Sequence, residues 1–515
     1  MIKINIKNFK QLENFRIEIK KLTLIFGPNG SGKSSLLQAL YFLSENLKAF
    51  NKNHKKQFLT KYELEAINFY SYKNIVSKNK INKSIKFIIE VNGSYKELKS
   101  FFHFFNITVI SPHESPDRES DISQKIENLK TYENLEELLY STDEILKKEK
   151  EKLKFHLVVK FDKKTITDYY LKDLNTKIVY DFIKGEWKIP NNFKLMSLII
   201  SKIYFSPSSF ERNLLFNLFD NKSNETQLND EIISDKTKLL ESIEILVKFN
   251  FIFGYVLSRF FNLDYILPVR NKPKEKYLLK NGKFTENIFG NFPLEFFITK
   301  CDIDELRENW NKRKKLTLEE EVKIFGMRDG WIQLFKTLAK FNLAKSIFTV
   351  KKGEIGYLKI KHINDSITGI SQTSSGLFHI FPILFHVLMM ENKFLDTQGN
   401  FHFTLIIEQP EIHLHPKLHA LLAEFLAEKL QEITNPIIIE THSEHFVKKI
   451  QVLHAQKKIT ENDYSIYYFD NSKGVTEVKK IELDEYGFLK EPWPNGFFDD
   501  YLILTEELIF GARNN

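Results

Sequence analysis

A single cysteine, Cys301, stands among 515 residues. That excludes an internal disulfide framework and any metal site built from several cysteines, and it suits a reducing cytoplasm. The chain also lacks a long uninterrupted apolar run. Its most membrane-like segment, "ILVKFNFIFGYVLSRFF" at residues 245–261, is broken by Lys248, Asn250 and Arg259. A membrane span needs about 20 apolar residues, so a buried helix is expected there. The opening "MIKINIKNF" alternates apolar and polar side chains instead of forming the continuous apolar core of a secretion signal, and none is expected. Apolar heptads never persist, which argues against a long coiled-coil arm. Internal repeats and long low-complexity tracts are missing as well.

What is present is ordinary globular composition: 42% hydrophobic and 28% charged residues set the chain apart from disordered sequences. Its length allows two or three domains. The net charge of +8 is compatible with a polyanionic partner, although Lys-rich, Phe-rich and Ala-poor usage fits a genome-wide bias equally well.

Short strand patterns occupy residues 3–6, 15–19 and 22–26, and a helix pattern follows over 33–47. Residues 154–162 and 165–173 alternate like paired antiparallel strands. A charged amphipathic helix is expected over 133–154 and a helical block over about 230–261. Strand–helix alternation resumes at residues 404–407, 416–431, 437–439 and 444–454, which implies a parallel sheet. Residues 1–48 and 365–482 are therefore expected to form one split α/β domain, interrupted by a mixed α+β insertion over 49–364. Residues 483–515, with the stretch "WPNGFFDD", form a small C-terminal segment.

The segment "GPNGSGKS", residues 27–34, fits G-x-x-x-x-G-K-[ST] and lies between an apolar strand and a helix, the context that gives this motif its meaning. Its glycines let successive backbone N–H groups face phosphate oxygens, and the helix N-terminus adds its positive end. Asn29, Gly30, Gly32, Lys33, Ser34 and Ser35 are the expected nucleotide-binding residues. Lys33 reaches the β- and γ-phosphates, and the Ser34 hydroxyl ligates Mg²⁺. In "LIIEQPEIHLHP", residues 405–416, a carboxylate ends a buried strand, so Glu408 is expected to hold Mg²⁺. Gln409 follows Glu408 directly, at the position where P-loop proteins that resemble this pattern carry a catalytic Glu, and Glu411 is a further carboxylate that could act through water. His413, His415 and His419 with Glu411 leave zinc open as a second reading, although no Cys is near. His442, in "IIIETHSEHF", is placed to meet a γ-phosphate or orient water, while Thr441 or Ser443 would cap the next helix. "SQTSSGLFHIFPILFHVL", residues 371–388, is a polar turn entering an apolar helix whose start could bind a phosphate.

In order, "GPNGSGKS", "SSG", "EQPEIHLHP" and "ETHSEHF" resemble the ABC-type ATPases of the SMC, RecF and OLD class, which belong with AAA-family ATPases. "INIKNFKQLENFRI" is similar to that class too. "WPNGFFDD" and "YILPVRNKP" resemble a narrower bacterial family with a C-terminal domain of unknown function. The resemblance implies an α/β P-loop NTPase of ABC/SMC-like head architecture, split by a large mixed insertion. It implies a homodimer that sandwiches Mg²⁺-ATP: the nucleotide held by Lys33, Ser34 and Glu408 of one subunit is covered by Ser374, Ser375 and Gly376 of the other, with His442 as switch histidine. The signature departs from the transporter-type Leu-Ser-Gly-Gly-Gln, and no glutamine is assigned to the loop that helps ligate Mg²⁺ in this class. The span after His442 is expected to be too short for the Toprim nuclease of OLD-type relatives. The acidic residues Asp499, Asp500, Glu506 and Glu507 read as a solvated helix face. The expected function is slow ATP hydrolysis in the cytoplasm, near DNA, in bacterial antiviral defence or repair beside a separate effector, a nuclease or toxin. The other reading is a nucleotide-controlled dimerising scaffold with negligible turnover.

Overall fold

The computed structural model describes, with short breaks, residues 2–53, 75–93, 152–190, 263–284, 329–390, 403–494 and 500–513, and a few positions between 245 and 256. The chain divides into two compact units, residues 1–19 with 35–262, and residues 20–34 with 263–515.

Alternating burial builds the first unit. In β1 (Ile2–Phe9) Ile2, Ile4 and Ile6 are buried while Lys3, Asn5 and Lys7 are more accessible, the period-two pattern of a strand with one apolar face. It pairs antiparallel with β2 (Leu12–Ile19). The next strand, β3 (Leu22–Phe26), belongs to the second unit. β1 also pairs antiparallel with β4 (Ile85–Gly93). The sheet continues through β5 (Leu153–Phe161), β6 (Ile166–Asp173), β7 (Val179–Asp181) and β8 (Glu186–Lys188), in the order β2-β1-β4-β5-β6-β7-β8. From Ser35 onward α1 (Lys33–Asn53) packs within this unit, with the Phe42 ring 5.7 Å from Phe9 and 5.0 Å from Phe161.

The second unit contains a six-stranded sheet ordered β18-β17-β3-β16-β15-β9. β9 (Leu263–Ile266), β15 (Thr404–Glu408), β16 (Ile437–Glu440), β3 and β17 (Tyr464–Asp470) are parallel; β18 (Glu477–Ile481) closes one edge antiparallel. Every residue of β3, β15 and β16 is buried, as strands covered on both faces require. β10 (Lys276–Lys280), β11 (Lys283–Phe284), β12 (Ser346–Lys352), β13 (Ile355–Lys361) and β14 (Ile367–Gly369) form a separate antiparallel sheet. The helices are α2 (Asp329–Lys340), α3 (Ser375–Met389), α4 (Pro416–Lys429), α5 (Glu444–Ala455) and α6 (Asp500–Arg513). Apolar on nearly all sides, α3 is buried from Gly376 to Phe385, and its Leu377, Phe381 and Leu384 join Leu422, Phe446, Leu24 and Ile439 in one core. Each such fully buried side chain contributes about 1.5–3 kcal/mol.

The expected antiparallel pair is β5 with β6. Elsewhere the boundaries fall differently. β1 and β2, read as part of the split α/β domain, lie in the other unit's sheet; within residues 1–48 only the stretch 20–34 belongs with the second unit. β9, placed by the sequence in the 49–364 insertion, is the edge strand beside β15. Four residues without alternation, far from their partner in sequence, carry no periodic signal. Of the helix expected over 133–154, the last two residues are instead the start of β5, and 133–151 lie outside the described residues. Ile245, Lys248, Phe249, Ile252 and Val256 of the expected helical block are helical. Asp499 lies outside the described residues; Asp500, Glu506 and Glu507 are on α6. Among the described residues no helix is long and apolar enough to cross a membrane.

Candidate functional site

Parallel strands deliver their C-terminal ends to one edge, the place where ligands bind in open α/β sheets. Here three such ends lie side by side: Glu408 of β15 is in register with Glu440 of β16, which is in register with Ile25 of β3. The phosphate loop leaves β3 at that edge. Gly27, Gly30 and Gly32 have φ of 140°, 75° and 103°, a region side chains rarely enter. At Gly27 there is also no room for a Cβ, which would collide with the Phe469 carbonyl of β17. The hairpin after β17 steadies the loop from outside: Thr476 Oγ1 donates to the Ser31 carbonyl at 3.0 Å, and Asn471 Nδ2 to the Gly30 carbonyl at 3.3 Å. Trp493, the first residue of "WPNGFFDD", sets its ring edge-on to Phe26 at 5.2 Å, directly before the loop.

Asn29 and Gly30 are exposed at the loop's crest, and Gly32 and Lys33 are buried. The Lys33 ammonium donates to the carbonyls of Gly27 and Pro28, both at 2.9 Å, and lies 3.9 Å from Glu440. Burial lowers its pKa, and Glu440 works against that. Ser34 Oγ donates toward Glu440, 3.1 Å from Oε2 and 3.4 Å from Oε1. Ser35 is the next residue of α1, half-buried.

Two carboxylates flank this group. Glu408, 9% exposed, accepts from the Tyr265 hydroxyl at 2.5 Å; burial raises its pKa and that bond opposes the rise. Glu440, 3% exposed, is pushed up to about 7, first by burial and then by the Glu408 charge, against the pull of Lys33 and Ser34. Glu440 stands inside "ETHSEHF" but belongs to no sequence motif for metal or phosphate. The available signal was its position as the last residue of a buried strand that had to lie parallel to β3.

Gln409 turns the chain out of β15 with φ of 42°, a conformation non-glycine residues hold only under constraint. Its N–H donates to the Glu440 carbonyl at 2.8 Å. Glu411 spends both oxygens on the loop after β16: Oε1 accepts the His442 N–H at 2.6 Å and Oε2 the Thr441 hydroxyl at 2.9 Å. It thereby fixes the backbone that presents His442, a half-buried imidazole whose pKa is lowered by burial and then by Lys33. Ser443 caps α5, accepting the Phe446 N–H at 3.1 Å.

The histidine-rich stretch does separate tasks. His415 caps α4 through the Lys417 N–H, His419 bonds the Ser443 hydroxyl at 2.9 Å and the Leu414 carbonyl at 3.1 Å, and the His413 ring lies 4.8 Å from that of His379. Among the described residues no group of histidine and carboxylate side chains is arranged to hold a metal ion on its own, which removes the zinc reading.

Arg270 was also missed, though it belongs to "YILPVRNKP". Half-buried, its guanidinium donates to the His379 carbonyl of α3 at 2.9 Å and the Glu408 carbonyl of β15 at 3.2 Å, and it ties α3 to the strand bearing Glu408. Burial lowers its pKa to about 10, opposed by Glu411. Ser374 and Ser375 begin α3 and are exposed, while Gly376 faces inward, where an added Cβ would touch Leu414 and Leu343 at ordinary distances. Lys33, Ser34, Glu408, Glu440 and the His442 loop thus converge at one sheet edge, and Ser374 and Ser375 lie on the surface at the start of α3.

A phosphate loop after the sheet's third strand in spatial order, with carboxylates ending the next two strands, defines a P-loop nucleoside triphosphatase fold. The AAA ATPase domain family matches residues 1–447, and the chain belongs to that family. Residues 459–508 match a second family, described as a protein of unknown function (DUF3696). The chain is 26% identical over 123 residues to the DNA replication and repair protein RecF of Citrifermentans bemidjiense, covering 22% of this chain and 32% of that protein. It is 30% identical over 125 residues to RecF of Natranaerobius thermophilus, covering 21% and 30%. It thus spans about a third of the length of these relatives. Among solved structures it is similar to the SMC head domain from Thermotoga maritima, with a TM-score of 0.33 and 9% identity over 93% of this chain and 98% of that one. It is also similar to an Smc head with an extended coiled coil bound to the C-terminal domain of ScpA, derived from Pyrococcus furiosus, with a TM-score of 0.38 and 13% identity over 99% and 100%.

Proposed function

We propose that this chain binds Mg²⁺-ATP at the Lys33–Ser34 loop, hydrolyses it slowly, and closes into a dimer around it. The observation that carries the reading is the convergence at one sheet edge of the Lys33 ammonium, the Ser34 hydroxyl and the carboxylates of Glu408 and Glu440. Hard oxygen donors of this kind suit Mg²⁺, which is bound through one or two carboxylates together with phosphates. When bound, the ion neutralises charge on the β- and γ-phosphates. Lys33 exchanges its bonds to the loop carbonyls for phosphate oxygens, and the loop N–H groups hold the rest of the triphosphate. Glu411 holds the His442 backbone, so that imidazole can orient toward the γ-phosphate. Gln409 can orient a water through its amide but is no strong base. General-base assistance contributes typically about 10²–10⁴-fold, so turnover is slow and an ATP-bound dimer long-lived. The dimerising scaffold with negligible turnover is the same reading at its slow limit, and Gln409 is the residue that favours it.

The exposed Ser374 and Ser375, with Gly376 beside them, supply the surface that covers the partner's nucleotide. The identity to RecF over part of the chain and the net charge of +8 support action on or near DNA, in repair or antiviral defence beside a nuclease or toxin effector. Light scattering tests the dimer. Wild type is expected to double its mass with Mg²⁺-ATP, whereas Ser375→Asp, which puts a carboxylate against the partner's phosphates, binds nucleotide but stays monomeric. The same samples titrated with duplex DNA are expected to bind with an affinity that falls steeply with salt. An identical ATP-dependent mass for variant and wild type contradicts the trans-acting signature, and absence of any DNA complex at low salt contradicts the DNA assignment.

A further inference from the structure

Glu440 is the carboxylate in contact with Ser34. Its two oxygens lie 3.1 and 3.4 Å from the Ser34 hydroxyl, and its strand β16 lies between β3, which leads into the phosphate loop, and β15, which carries Glu408. Glu408, one strand further from the loop, has its Oε1 engaged by Tyr265 on the opposite side, toward β9. The protein's own partners do not account for a carboxylate at position 440. It is 3% exposed and in register with a second buried carboxylate, and its cationic neighbour Lys33 stands at 3.9 Å while bonded to two carbonyls. Burying a carboxylate under those conditions costs several kcal/mol, and one hydroxyl hydrogen bond to the charged group returns about 1.5–3 kcal/mol. A divalent cation beside Ser34 would supply the missing positive charge.

We propose that Glu440 is a Mg²⁺ ligand of the nucleotide site, sharing the ion of bound Mg²⁺-ATP with the Ser34 hydroxyl, while Glu408 with Tyr265 supports the ion from the neighbouring strand. The proposal rests on the phosphate-loop reading above and adds a residue that none of the sequence motifs singled out. It gives the site two acidic strand ends, set on adjacent strands, and it makes the contribution of Glu440 depend on the metal.

Titration calorimetry of the purified full chain with AMP-PNP, once with Mg²⁺ and once with EDTA, tests this. For Glu440→Gln the affinity for Mg²⁺-AMP-PNP is expected to fall at least about 10-fold, since loss of even an outer-shell partner of a metal typically costs about 10–100-fold. In EDTA the same variant is expected to bind as well as wild type or more tightly, because a negative charge beside the phosphates has gone. Glu440→Asp keeps the charge but withdraws it by one methylene; it is expected to weaken Mg²⁺-AMP-PNP binding while leaving EDTA binding unchanged, and it decides the matter if Glu440→Gln fails to fold. Equal shifts with and without Mg²⁺, or no shift in either, overturn the proposal. Lys33→Ala separates this from failure of the underlying reading. Wild type that does not bind AMP-PNP, or binding indifferent to Lys33→Ala, overturns both, whereas Lys33-dependent binding with metal-independent effects at position 440 overturns the role of Glu440 alone.

Discussion

Burial acts on single residues around α3 and β15 in ways that solution chemistry can read. His379 is 7% exposed, its ring lies 4.8 Å from that of His413 at a tilt of 40°, and the Arg270 guanidinium lies against its carbonyl. Burial first, then Arg270 and His413, lower its pKa to about 4. The unfolded chain therefore takes up a proton near pH 6.5 that the folded imidazole refuses until about pH 4. Stability follows the difference in bound protons, so this group favours unfolding increasingly as pH falls below 6.5 and levels off below about 4. In His379→Leu that loss is absent. Denaturant midpoints at pH 7 and pH 5 are expected to differ less for the variant than for wild type, and equal differences contradict the placement of His379. Reactive residues with a fixed spacing were legible in advance: Lys33 and Ser34 come with their loop, and Glu408 comes with its strand. Glu440 and Arg270 were not, because what makes each matter is a neighbour from a distant part of the chain: Ser34 across 406 residues for Glu440, and the Glu408 carbonyl across 138 for Arg270.

Elements carry the loop's geometry. β3, the turn and α1 were readable because an apolar run, a glycine-rich turn and a helix start occur within a few residues of one another. The order of strands was not, since it depends on pairings such as β9 with β15 that span more than a hundred residues without local periodicity. The support given by β17 and the hairpin that follows it was equally hidden. That support predicts a sharp sensitivity at Gly27, whose φ of 140° is strained for any side chain and whose missing Cβ leaves space for the Phe469 carbonyl. Strain of this kind costs about 1–3 kcal/mol before the collision is counted. Gly27→Ala is therefore expected to lower stability by at least about 2 kcal/mol and to weaken AMP-PNP binding. A variant that melts and binds like wild type would show that the loop is not held against β17.

At the scale of the molecule, two units divide the work. The second contains the parallel sheet, the phosphate loop and the carboxylates. The first is a largely antiparallel sheet whose central strands β5 and β6 were anticipated from alternation, and whose outer strands β1 and β2 open the chain. The central claim is that Lys33, Ser34, Glu408 and Glu440 make one Mg²⁺-ATP site that turns over despite Gln409. Phosphate release from purified protein with Mg²⁺-ATP tests it most directly, comparing wild type with Lys33→Ala, Glu408→Gln and Gln409→Glu. Wild type is expected to hydrolyse slowly and Lys33→Ala not at all. Glu408→Gln should fall well below wild type, and Gln409→Glu should match or exceed it. Hydrolysis by Lys33→Ala at the wild-type rate, or normal turnover in Glu408→Gln, would contradict the account.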